Sequence, residues 1–279
     1  MSGAVGAGAG LTVDAVCAAV LRGELGPDPG QVPVTGASSI YQTTEFPSSG
    51  VKYHNHYVLL RVGGYFGAAA YAAGELDMTE AGQLSGHMLG ELLRDSHPAV
   101  RAAALDAYLG AIYPHASRCT EAHTIAGGTP LDKALARDAL IAETARIRPG
   151  QRVALIGVVN PLVEAIVQRG GTCLPCDLQL ERTLRGDAVE RDMEVVLRQA
   201  DNVICTGMTL ANGSFDRIAE AVRERDVPLT VYAQTGSALA ARWIGYGVTG
   251  LVAEPFPFTQ FSGGPSELYV YATGEEADA

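Results

Sequence analysis

Val203 to Gly213 reads VICTGMTLANG, an apolar run that closes on a polar, glycine-punctuated turn. A short apolar run rich in β-branched residues and bounded by turn residues reads as a strand buried on both faces. Open α/β sheets hold their ligands beyond the carboxyl ends of such strands. Upstream, Arg152-Val-Ala-Leu-Ile-Gly157 reads as a second buried strand, and its exit, Val158-Val159-Asn160-Pro161, runs into a helical pattern. Two neighbouring strand ends with backbone donors and small polar side chains make a crevice.

The same alternation continues on both sides. Strands are expected near 152–157, 172–176, 201–206, 228–233 and 248–253, and helices near 161–169, 188–199, 214–225 and 236–244. Strands separated by helical stretches form a mostly parallel sheet with helices on both faces. Thr129-Pro130-Leu131-Asp132 has the form of an N-cap followed by proline at the first helical position, which opens a helix ending at Pro149-Gly150. His123 to Gly128 reads as the joint before it, dividing the chain into residues 1–125 and 126–279.

The first part has a different texture. Leu11 to Leu25 spaces Val13, Val16, Cys17, Val20 and Leu21 as a helix does, after a small-residue start expected to fray. Ser38 to Ala73 is rich in Tyr, Val, Thr and Phe with turns at Pro47-Ser-Ser-Gly50 and Gly63-Gly64, the pattern of an antiparallel sheet of about three strands. Glu80 to Arg94 and Pro98 to Ile112 then place apolar residues on helical stripes. Strands followed by helices form a smaller α+β domain, so the fold class is α/β, a Rossmann-like parallel sheet preceded by an α+β domain.

With 279 residues and 47% apolar content, the chain can bury a substantial core. Its net charge of -11 and scattered Lys and Arg lack the basic face that nucleic acid or an anionic membrane requires. No apolar run approaches the length of a membrane span, and the start has no basic leader, so a cytoplasmic location is expected. Five cysteines, an odd number in a chain of this size, fit a reducing compartment. Richness in Ala, Gly and Arg suggests a bacterial source. The acidic end, Glu275 to Ala279, reads as solvated. The expected partner is a small molecule, and a homodimer is allowed.

Arg152 to Pro161, the turn Thr206 to Gly213 and the following Phe215-Asp216-Arg217-Ile218 resemble the Rossmann-like domain family labelled putative heavy-metal chelation. The likeness covers about residues 125 to 270. It implies a partner domain with an enolase N-terminal-like fold, which the order of residues 38 to 112 matches only in architecture. It also implies a cleft between the domains and a role with metals or metal-carrying small molecules.

Several residues could carry chemistry. His54 and His56 stand two apart on an expected strand, so their side chains share a face about 7 Å apart at the Cα level. With Lys52 before them, they form a candidate acid/base or metal-holding set, which Glu45 could complete from a neighbouring strand. His115, Cys119 and His123 are spaced by four and four, a second His/Cys set suited to zinc or a softer metal. Cys173-Leu-Pro-Cys176 falls within a strand rather than at a helix start, where burial outweighs reactivity.

Asp177 stands 20 residues after Gly157, where a carboxylate in a nucleotide-binding βαβ unit accepts from ribose hydroxyls. The missing second and third glycines after Gly157 weigh against a pyrophosphate, leaving S-adenosylmethionine as the adenosine-containing candidate. Asn160, Thr206, Thr209 and Asn212 are the small polar groups of the strand ends, able to hold a ligand or to serve as ordinary caps. Gln234-Thr-Gly236 and Glu254-Pro-Phe256 end two further strands and could line the same mouth, while Arg61 is a candidate carboxylate clamp. Trp243 and Tyr246 read as packing residues. No nucleophile elbow or P-loop is present.

Three functions follow as expectations. The first is an enzyme acting on an anionic or amino-acid-like metabolite, with or without a divalent metal. The second is a non-catalytic binder of a heavy metal or metal chelate, and the third a transferase or cyclase using S-adenosylmethionine. In the first, His54 and His56 look across a shared cavity at the strand ends of the second domain.

Overall fold

The structure, a computed structural model, describes residues 10–45, 50 and 52–274. The small-residue start, most of the expected turn at 47–50 and the acidic end lie outside the described residues. In chain order the elements are α1 (Val13–Leu21), β1 (Gly36–Glu45), β2 (Lys52–Val62), β3 (Tyr65–Tyr71), α2 (Met78–Gln83), α3 (Leu89–Leu92) and α4 (Pro98–Ile112). There follow β4 (Glu121–Ile125), α5 (Pro130–Thr144), β5 (Arg152–Ile156), α6 (Asn160–Gln168), β6 (Thr172–Cys176), α7 (Met193–Gln199) and β7 (Asn202–Thr206). The chain continues through α8 (Met208–Ala211), α9 (Phe215–Arg225), β8 (Leu229–Ala233), α10 (Ser237–Ala240), β9 (Gly250–Ala253) and β10 (Ser266–Ala272).

Seven strands form the large sheet in the order β4-β10-β9-β8-β7-β5-β6, and β1-β2-β3 form a separate antiparallel sheet. The five strands β5 to β9 are mutually parallel. Their order, second-first-third-fourth-fifth, reverses between β5 and β7, which makes the crevice beyond those two strands the topological switch point. The expected α/β class, a parallel sheet behind a smaller α+β part, is therefore the observed one. No helix among the described residues is long and apolar enough to cross a membrane.

Alternation along the strands distributes the core. Val153, Leu155, Ile204 and Val252 face α5 and α6, packing with Leu140, Ile141, Leu162 and Val163. Ala154, Val203, Cys205, Val231 and Leu251 face the other way, onto Leu197 of α7 and Phe215 and Ile218 of α9, and that cluster runs on into α1 and α4. The first part of the chain thus shares one apolar core with the second. Against β3, α4 packs so closely that a Cβ on Gly67 would stand 2.0 Å from Ala107 N, so only glycine fits there. The first turn of α5 forms as its sequence dictates, with a reciprocal capping box between Thr129 and Asp132 and proline at the start.

Strand β10 is absent from the sequence reading, and further segments differ from it. Glu80 to Arg94 is two short helices instead of one, because the backbone between them bonds to the chain before β1: Gly86 N donates to Val34 O, and Val34 N to His87 O. The helix expected at 188–199 starts only at Met193, since Glu190 bonds on both sides, its N–H to Pro175 O and its carbonyl from Asp177 N. The stretch expected as a joint begins inside β4, which pairs antiparallel with β10 to extend the large sheet.

Candidate ligand site at the strand ends

Beyond β5 the chain turns through Gly157, whose φ of +88° only glycine adopts without strain. Any Cβ there would also meet Thr206 Oγ1 at 2.6 Å and Cγ2 at 2.7 Å. The end of β5 and the side chain closing β7 are therefore in contact across the switch point. Thr206 is 9% exposed, and its Oγ1 has no hydrogen-bond partner among the described residues. A buried hydroxyl without a partner costs about 1–3 kcal/mol, so its retention needs a reason.

Asn160, at the start of α6, is buried and spans three segments. Its Nδ2 donates to Tyr53 Oη at 2.6 Å, and its Oδ1 accepts from Leu184 N at 2.7 Å. Asp177 organises the turn after β6: Oδ2 accepts from Val158 N at 2.9 Å, and Oδ1 from Gln179 N at 2.8 Å and Leu180 N at 3.1 Å. Thr209 donates to Thr206 O at 2.7 Å, and Asn212 caps its own turn by accepting from Ser214 N and Oγ.

The row continues across β8 and β9. Gln234 and Gln260 pair their amides reciprocally at 2.6 and 3.3 Å, and Gln260 Nε2 also reaches Gln42 Oε1 at 3.4 Å. Gln234 donates to buried Glu254 at 3.0 Å, which also accepts from Tyr232 Oη at 2.8 Å and from Thr259 N. Behind them Arg137 pairs with Asp138 at 2.7 Å and lies over the Tyr232 ring at 5.0 Å. Burial pushes the Asp138 carboxyl up while Arg137 pulls it down, and with Lys133 the four buried charges balance.

Strand β2 crosses above these ends. Tyr53 reaches the end of β5 through Asn160, and Tyr57 packs on Phe258, beyond β9, with ring centroids 5.3 Å apart. Four residues of strand cover about 13 Å, and the three strand spacings from β5 to β9 about 14 Å, so the lengths match. Half-buried Asn55 lies between, on the same face, with Gln42 opposite it in register.

The alternation that turns Tyr53, Asn55 and Tyr57 to the strand ends turns His54 and His56 away from them. His54 Nδ1 lies 3.0 Å from Tyr41 Oη and 3.2 Å from Thr43 Oγ1. The His56 ring sits 4.6 Å from that of Tyr41 and 5.5 Å from that of Tyr71. Glu45 and Lys52 form an exposed ion pair at 3.8 Å. The imidazoles and the strand-end residues Asn160 and Thr206 are thus on opposite faces of the first sheet, and the shared cavity expected between them does not form.

The second His/Cys set forms no metal site among the described residues either, although Cys119 N donates to His115 O at 2.9 Å. His115 is buried in a turn, its Nδ1 2.8 Å from Tyr271 Oη and its Nε2 3.2 Å from Ser237 Oγ, whereas His123 is on β4. Burial, with a smaller push from Arg118, lowers the His115 ring to about 4, so it is neutral. Burial pushes Cys173 up to about 12 and Cys176 up to about 11, leaving both as thiols. Among the described residues no three His, Cys, Asp or Glu side chains converge as a metal site. The donors among the described residues do not fit a resident metal. Arg61 donates to Gly63 O at 3.1 Å and lies over Phe66, and Trp243 is buried against Phe215.

Sequence reasoning had singled out Asn160, Thr206, Gln234 and Glu254 but not Tyr53, Asn55, Gln42 or Gln260. The first two of these were within reach, because the period-two rule that pairs His54 with His56 assigns Tyr53 and Asn55 to the other face. A cleft of about 380 Å³ also exists at the opposite, amino edge of the sheet, lined by Arg223, Asp226, Pro228 and Thr249 among others. The strand-end row is preferred, since open α/β sheets bind at their carboxyl ends.

A family model described as "Putative heavy-metal chelation", the DUF364 family, matches residues 139–251. A comparison with curated proteins found no match. Among solved structures, a protein of unknown function from the DUF364 family of Desulfitobacterium hafniense DCB-2 aligns with a TM-score of 0.59 at 15% identity, over 92% of this chain and 96% of that one. Another from the same family, of Pyrococcus horikoshii, aligns at 0.57 and 14% identity, over 92% of this chain and 100% of that one. The chain is similar to the DUF364 family in sequence across its parallel sheet and in fold across nearly its whole length.

Proposed function

We propose that this protein binds a small polar molecule between its two sheets, at the carboxyl ends of β5, β7 and β8. The carrying observation is Thr206 Oγ1, a buried hydroxyl without a partner at the topological switch point. A ligand that donates to or accepts from it removes the cost of leaving it bare. Gln42, Gln234 and Gln260 supply a linked row of amides along the neighbouring strand ends, half-buried Asn55 stands opposite Gln42 in register, and Tyr53 with Asn160 closes one end. Neutral amides and hydroxyls recognise carbonyl, amide and hydroxyl groups, and they discriminate strongly because each lost bond strands a buried group. This donor set suits an uncharged polar metabolite better than the anionic one first expected.

Catalysis by Lys52, His54 and His56 draws no support from their side of the sheet. A metal-chelating role, which the family description raises, lacks a converging donor set among the described residues. The test is a crystal structure of the protein as purified from its expression host. Electron density for a small molecule within hydrogen-bonding distance of Thr206 Oγ1 supports the reading. Density at His54 and His56 instead, with none at Thr206, overturns it.

A further inference from the structure

The geometry points to a second ligand site, a small-oxyanion seat between Arg118 and Arg242 on the side of the molecule where α10 meets β10. Six residues line a recess there: Tyr113, Arg118, Ala238, Ala241, Arg242 and Tyr271. Two are arginines and none is acidic. Both guanidiniums lie against one ring, Arg118 at 4.8 Å and Arg242 at 5.6 Å from the Tyr113 centroid. Neither side chain has a hydrogen bond or a carboxylate within ion-pair distance among the described residues, although the chain carries a net charge of -11.

Two like charges held together on a half-buried surface repel, and the pairing persists here without a counter-charge from the protein. Consistent with this, burial is the larger influence lowering Arg242, and Arg118 adds to it. Guanidinium forks match the oxygens of carboxylates and phosphates, so an oxyanion is the ligand that would neutralise the pair. The free space, about 10 Å³, accommodates one water-sized group. A single oxygen therefore enters while the rest of the ligand stays at the mouth between the guanidiniums.

Tyr271 gives the recess a neutral donor. Its Oη lies 2.8 Å from His115 Nδ1, and the buried ring is neutral. When that ring carries its proton on Nδ1, Tyr271 accepts from it and turns its own hydroxyl proton to the anion.

The test is calorimetric titration of the full chain at low salt with inorganic phosphate and, separately, with acetate, which distinguishes a phosphate ligand from a carboxylate one. One of the two is expected to bind one per chain with a Kd at or below about 1 mM, weakening as salt rises. Arg118→Gln, an exposed position where folding is not at risk, weakens it about tenfold or more, and Arg242→Gln does the same. Arg152→Gln, whose guanidinium is already paired with Asp201 at 2.9 Å, leaves it unchanged. The proposal is overturned if neither anion binds, if Arg118→Gln binds as the wild type does, or if Arg152→Gln costs as much as Arg118→Gln.

Discussion

Asn160 Nδ2 donates to Tyr53 Oη at 2.6 Å, the bond that ties the antiparallel sheet to the switch point of the parallel one. Each residue belongs to a different half of the chain, and the contact helps to hold β2 over the strand ends. Replacing the tyrosine leaves a buried amide with one fewer acceptor. Tyr53→Phe is expected to lower unfolding stability by about 1–3 kcal/mol, measured by denaturant melts. A variant as stable as the wild type would show that the bond does not hold the halves together.

Gly157 is forced by two independent constraints, a positive φ and contact with Thr206. Gly157→Ala is expected to cost about 2 kcal/mol or more. In a double-mutant cycle, Thr206→Ala restores part of that loss, because it removes the two atoms the new methyl would strike. Additive losses would contradict the contact.

These two positions also show how much was legible. The parallel strands are apolar on both faces, so their runs stood out, and the residue types at their ends, Asn160 and Thr206, marked the crevice. Edge strand β4, Glu121-Ala-His-Thr-Ile125, is exposed at most of its positions and carries no apolar alternation to find. The first sheet posed a different problem. Both faces of β2 carry aromatic or imidazole residues, and which face meets the strand ends depends on the docking of α4 against Gly67, a contact distant in sequence from β2. The period of two was readable, but the choice of face was not.

His115 gives stability a pH dependence of known sign. Its ring titrates near 4 in the folded protein, below the usual value near 6.5 of an unfolded chain. Between those values the unfolded state binds more protons, so the contribution is complete above about 6.5 and is lost as the pH falls toward about 4. The stability advantage of wild type over His115→Gln should shrink by up to about 3 kcal/mol across that window. Asp106, which accepts from Ala68 N at 2.9 Å and Ala238 N at 2.7 Å, acts oppositely. Burial pushes its carboxyl up to about 7, so its contribution is present in acid and lost as the pH rises through about 7. An advantage over His115→Gln that grows on acidification would contradict the burial of a neutral ring.

Two imidazoles with an ion pair beside them do not make a tight metal site. After incubation with zinc and desalting, the protein is expected to retain less than one metal per chain, and His54→Ala/His56→Ala should retain the same amount. Stoichiometric metal in the wild type that disappears in the double variant would return the metal reading to those residues.

Native mass spectrometry of the protein equilibrated with a metabolite extract tests ligand binding at the strand ends most directly. Thr206→Val keeps the side-chain shape and removes only the unpartnered hydroxyl, and Arg118→Gln alters the distant anion recess. A small-molecule adduct on the wild type and on Arg118→Gln that is lost from Thr206→Val is the expected result. An adduct retained in full by Thr206→Val, or none on the wild type, would contradict the assignment of the ligand to the ends of β5 and β7.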